Sequence, residues 1–96
     1  MRDIDRVQIQ CAIVQMQARA IDALYSLLSQ HKIVEGKEVE IPSDQSKAME
    51  VQKEIIDNLF KELSKYMTPS ELDRLTCIKE INEAAELRKS IDLDHL

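Results

Sequence analysis

From Asp3 to Gln30 the chain runs without a single proline or glycine, and its apolar residues recur at helical spacing. Ile4, Val7, Cys11, Val14, Ala18, Ile21, Tyr25 and Leu28 step along it three and four apart, the a and d seam of a heptad pattern. A second apolar set, Ile9, Ile13, Met16, Ala20, Ala23 and Leu27, lies round the other side of the same helix. One neighbour cannot satisfy a helix that is apolar on two sides. Such a helix belongs in the middle of a bundle or between two chains, so the seam from Ile4 to Leu28 is the expected surface of self-association. Gln8, Gln10, Gln15 and Gln17 bracket that seam at e and g positions, where a solvated coiled coil carries Glu and Lys. Neutral amides there point to partly buried flanks, because an amide can hydrogen-bond without the desolvation cost of a charge.

The remainder reads as all-α. With one Gly, two Pro, one Phe, two Tyr and no Trp in 96 residues, the elements must be few and long, and the core aliphatic. The expected architecture is a three-helix bundle in a single domain over residues 1–96: one long N-terminal helix plus a helical hairpin. A short loop or β-hairpin is expected at 33–41, where Val34, Val39 and Ile41 surround Gly36. After Pro42, Ser43 or Asp44 can cap a second helix running to about Met67. Ala48, Val51, Ile55, Leu59, Leu63 and Tyr66 form its expected inner line.

Thr68-Pro69-Ser70-Glu71 is a capping box with proline at the first helical position, so a third helix should run from Pro69 to about Lys89. Its apolar residues Leu72, Leu75, Ile78, Ile81, Ala84 and Leu87 are three apart throughout. On an α-helix such a line turns back by ~60° per step. One flat partner cannot cover it, so the first half should face the second helix and the rest should meet the first helix or another subunit.

Charge and chemistry narrow the function. Thirteen basic against eighteen acidic residues give a net charge of −5, which repels phosphate backbones and argues against nucleic acid as a partner. No apolar run is long enough to span a bilayer, and no basic segment followed by an apolar stretch opens the chain, so neither membrane nor secretion is expected. Cys11 and Cys77 then read as reduced thiols in a cytoplasmic protein. With His31 and His95 they show no metal-ligand spacing, and no metal or other cofactor is expected.

Acidic pairs are the one catalytic signal. Glu54-x-x-Asp57 and Glu80-x-x-Glu83-x-x-Glu86 each put carboxylates on one helix face, and two such faces meeting could hold a divalent cation for phosphate chemistry. All-α nucleoside-triphosphate pyrophosphohydrolases place an ExxE before an ExxD; here the order is reversed. The expectation is therefore a non-catalytic protein-binding module (a small adaptor, inhibitor or regulatory subunit) acting through helix surfaces as a homodimer or higher oligomer. An unidentified protein partner should meet Val34, Val39 and Ile41 or the acidic faces bearing Glu54, Asp57, Glu83 and Glu86. A metal-dependent phosphohydrolase and an acidic mimic of nucleic acid are the alternatives.

Overall fold

The computed structural model describes residues 3–31 and 40–94, with side chains from Arg6 to His31 and from Glu40 to Leu87. Among the described residues the chain is all-helical: α1 spans Asp3–Gln30, α2 Gln45–Leu63, α3 Pro69–Asp73 and α4 Thr76–Asp94. The long N-terminal helix and the helices folded back on it are as the sequence indicates. Val34 and Val39, with most of the expected 33–41 loop, lie outside the described residues.

Local chemistry sets the helix ends. Asp44 caps α2, its Oδ1 accepting from the backbone N–H groups of Ser46 and Lys47. α2 stops at Leu63, where Lys65 and Tyr66 donate three residues back to Glu62 and Leu63 and tighten the last turn. The capping box forms as expected: Glu71 N–H donates to Thr68 Oγ1 at 3.3 Å and Thr68 N–H donates to Glu71 Oε1 at 3.1 Å.

The helix that follows is divided in two, which the sequence reading did not anticipate. Around Arg74 and Leu75 the backbone bonds close three residues back, from Arg74 to Glu71, Leu75 to Leu72 and Ile78 to Leu75. The Thr76 hydroxyl takes the Asp73 carbonyl at 2.6 Å, competing with the α-helical ladder. This tightening accounts for the three-residue apolar spacing, since side chains three apart eclipse in a 3₁₀ turn. Leu72, Leu75, Ile78 and Ile81 consequently all reach one apolar cluster. Lys79 Nζ bonds Asp73 Oδ1 at 3.0 Å across the break. Beyond it α4 packs on α1 as well as α2, one of the two outcomes foreseen for its second half. Leu87, at 63% exposed, marks where that line leaves the core.

The molecule measures 45 × 28 × 16 Å. Its thin dimension is less than two helix diameters. The core accordingly comes in two pieces. The larger joins Ala20, Leu24 and Leu28 to Ile56, Leu59, Leu63 and Ile78; the smaller joins Ile13, Met49 and Ala85.

Between the two pieces, each long helix contributes a buried amide. Gln17 stands between Ile13 and Ala20, Gln52 between Met49 and Ile56, and Asn82 between Ile78 and Ala85. The buried line of α1 thus runs Gln10, Ile13, Gln17, Ala20, Leu24, Leu28, and that of α2 runs Met49, Gln52, Ile56, Leu59, Leu63. Both differ from the purely apolar lines expected. On α2 the inward face is turned about one residue from the Val51–Ile55 line, leaving both half-buried and Tyr66 exposed beside His31, their rings 6.0 Å apart. On α1 the bisector of the two apolar sets faces inward, because a helix flanked by two neighbours buries the centre of its arc. That centre happens to carry glutamines.

Candidate functional site

Turning the bisector inward leaves the a and d seam on the flank of α1. Val7 is 47% exposed, Ala18 is exposed, and Cys11, Val14, Ile21 and Tyr25 are half-buried. Leu28 faces the chain's own core, and the side chain of Ile4 lies outside the described residues. Six of the eight seam residues therefore form a strip from Val7 to Tyr25, about 27 Å long at the α-helical rise. Its polar edge is Gln8, Gln15 and Asp22, all exposed. Between Val7 and Tyr25 only Arg19 and Asp22 are charged, against seven charged residues over the equal length of α2. A solvated helix face carries charge, and depletion of charge is the compositional mark of the centre of a protein interface.

The two halves of the strip differ in relief. Val7, Cys11 and Val14 stand along the N-terminal half. Beside the C-terminal half lies a hollow of about 260 Å³ walled by Ala18, Ile21, Tyr25, Ile41 and Ile55, with Asp22 at its polar edge. Gln52 also lines it; this side chain is 4% exposed and its Oε1 has no hydrogen-bond partner. Ile41, expected at a partner surface from the loop pattern, joins the seam here. Ile55 and Gln52 come from α2, and no local pattern could have assigned them to the same hollow.

A second arrangement lies between α2 and α4. Lys53 Nζ sits 2.9 Å from Asp57 Oδ2 and 3.1 Å from Glu86 Oε1. The hydrogen bond to Asp57, then that to Glu86, raises the ammonium above the ordinary lysine value, against a smaller opposing effect of burial. Asn82 Nδ2 donates to the other oxygen of Asp57 at 3.1 Å, and Asn82 Oδ1 is buried without a partner.

Two open clefts flank this cluster. One, of about 400 Å³, is bordered by Glu50, Glu54, Asp57 and Glu86; the other, of about 540 Å³, has Phe60 and Leu72 with Lys79, Asn82 and Glu83. The fold thus brings the expected acidic residues Glu54, Asp57 and Glu86 to one edge and Glu83 to the next. The Lys53–Asp57 spacing was visible in the sequence, whereas Glu86 joins it only through tertiary packing. Among the described residues no group of three or more His, Cys, Asp or Glu side chains is placed to hold a metal ion.

Both cysteines are unbridged, Cys11 half-buried on the strip and Cys77 exposed on α4. Among the described residues no helix is long and apolar enough to cross a membrane. The fold and its partly exposed strip define a small all-α helical bundle with a sparsely charged helix flank. No family model, no curated protein and no solved structure matches the chain.

Proposed function

We propose that this chain is a non-catalytic protein-binding module, a small adaptor, inhibitor or regulatory subunit, that works through its helix surfaces as a homo-oligomer. One observation carries the reading: the strip from Val7 to Tyr25 is apolar, nearly uncharged and only partly covered by the chain's own helices. Keeping a helix flank free of charge over five turns has a solubility cost that a partner surface would offset. The cleft bearing Glu50, Glu54, Asp57 and Glu86 then offers a separate acidic surface to an external protein with basic side chains, while Lys53, Lys61 and Lys79 balance the acids of the neighbouring cleft that holds Glu83. Two unbridged thiols, one of them exposed, support a reducing, cytoplasmic setting.

Light scattering after gel filtration tests self-association. A mass of two or more chains over the micromolar range is expected, and a monomer at high concentration would overturn it. Affinity purification from native extract tests the external partner. One protein at stoichiometric yield, lost when Glu54 and Glu86 are both changed to Lys, is expected; a blank would overturn that part.

A further inference from the structure

We infer that the open strip of α1 is covered by the same strip of a second copy, running antiparallel. This rests on the self-association reading above and adds to it the face, the orientation and the register. The argument comes from relief. The half of the strip that carries Val7, Cys11 and Val14 and the half beside the hollow (Ala18, Ile21 and Tyr25, backed by Ile55) lie on one face of one helix. A two-fold axis repeats every contact, so one surface must fit itself.

Parallel pairing sets hollow against hollow. Ala18 would face Ala18 of the second copy across a void, while Tyr25 would crowd its own equivalent. Antiparallel pairing about the middle of the strip puts Val14 opposite Ala18, Cys11 opposite Ile21 and Val7 opposite Tyr25. Each small residue meets a large one or the hollow, and the two copies fill each other's hollows.

The polar edges agree with that register. Gln8 of one copy comes within ~3 Å, along the helix axis, of the level of Asp22 of the other, close enough for the amide to donate to the carboxylate. Gln15 lies beside the two-fold axis, ~3 Å along the helix from the equivalent glutamine, and amides are self-complementary. The opposite flank cannot serve a parallel coiled coil, whose e and g side chains pair between strands. Gln10 and Gln17, its g residues, are buried against the chain's own α2, where Gln10 bonds Ser46 and Gln17 bonds the Met49 carbonyl. Antiparallel helices also oppose their macrodipoles.

The test uses the full chain with Cys11→Ala and Cys77→Ser, carrying either Val14→Cys or Ala18→Cys. Light scattering should give two chains for each. On mild oxidation an equimolar mixture should form the mixed disulfide, identified by mass, and neither variant alone should bridge to itself. In the antiparallel register like positions are offset by ~6 Å along the axis, which with the spacing across the seam exceeds the ~7 Å Cα reach of a disulfide. Self-bridging of either variant would mean parallel pairing and overturn the inference. A dimer that bridges in no combination would place the contact on another face, overturning the inference while leaving self-association standing. A monomer would remove both. Ala18→Glu alters an exposed residue, so it should abolish the dimer with helicity kept and the melting temperature no longer dependent on protein concentration; a dimer that survives it would also overturn the inference.

Discussion

Gln17 Nε2 donates to the carbonyl oxygen of Met49 across 3.2 Å, tying α1 to α2 at the level where the apolar core is interrupted. Gln17 is wholly buried, yet its Oε1 has no partner. Gln52 and Asn82, the amides contributed by the other two long helices, likewise each bury an unpartnered oxygen. A band of such amides contributes little net stability, because each bond that Gln17 and Asn82 make is offset by an acceptor buried without a protein partner. The bonds of Gln17 to Met49 and of Asn82 to Asp57 each join two helices at one level, and register is the best-attested use of buried polar residues in helical assemblies.

That balance makes a stability prediction. Gln17→Met keeps the volume, removes the dry oxygen and leaves the Met49 carbonyl its helical partner. It should leave stability unchanged or raise it by up to about 1 kcal/mol, since a buried unpaired polar atom costs ~1–3 kcal/mol. Gln17→Ala opens a cavity and should lower stability by about 2 kcal/mol. Urea unfolding followed by circular dichroism measures both, and a large loss on Gln17→Met would show the amide to be a net stabiliser.

Leu24 is sealed from solvent in the larger apolar cluster, so Leu24→Ala should cost about 3 kcal/mol from lost burial and the cavity left behind. Ala23→Ser, on the exposed neighbour, should change stability by less than about 0.5 kcal/mol. The same denaturation assay compares them, and equal effects would mean that α1 does not turn its bisector inward.

Lys53 gives a pH dependence with a definite sign. Its ammonium is held above the ordinary value of 10.5 by Asp57 and then Glu86. A base whose folded pKa is raised contributes stability that is fully present below the unfolded value and lost as pH climbs through the folded one. Wild type should exceed Lys53→Met by at most ~1 kcal/mol at neutral pH, as for other surface ion pairs. Apart from any loss of methylene packing, that gap should close above pH 10.5. Unfolding curves at pH 7 and pH 11 would check it, and a gap that widens with pH would contradict the assignment.

The capping box titrates in the opposite sense. The Thr68 backbone N–H, then its hydroxyl, hold the Glu71 carboxyl below its usual 4.5. Its contribution is therefore present above that value and lost as pH falls through the lowered folded pKa. Glu71→Gln should keep the cap while removing this acid sensitivity, read as helicity between pH 5 and pH 3. Thr68→Ala, which removes the N-cap acceptor, should cost about 1 kcal/mol at neutral pH.

Much of this architecture was legible in the chain itself. The absence of Pro and Gly from Asp3 to Gln30 dictates the long helix, Asp44 and the Thr68–Glu71 box fix two helix starts, and the 3-4 apolar spacing marks α1 as having two apolar sides. All of these act within a few residues, through capping bonds and helical periodicity, so a linear reading reaches them. The three-residue spacing of Leu72, Leu75 and Ile78 accompanies the break after Asp73, whereas on one continuous helix the same pattern would spiral.

Tertiary packing alone decided which arc of each helix turns inward. Sequence reading assigns the core to lines without polar residues, whereas α1 and α2 place Gln17 and Gln52 at the centre of their buried arcs. A helix held by two neighbours buries the direction between them, whatever residue stands there. For Gln17 a hydrogen bond to the distant Met49 carbonyl then compensates part of the cost. The same choice of arc left the Val7–Tyr25 strip open, drew Ile41 and Ile55 beside it, and brought Glu86 to Lys53. Those juxtapositions depend on how three rods settle against one another, which no single rod specifies.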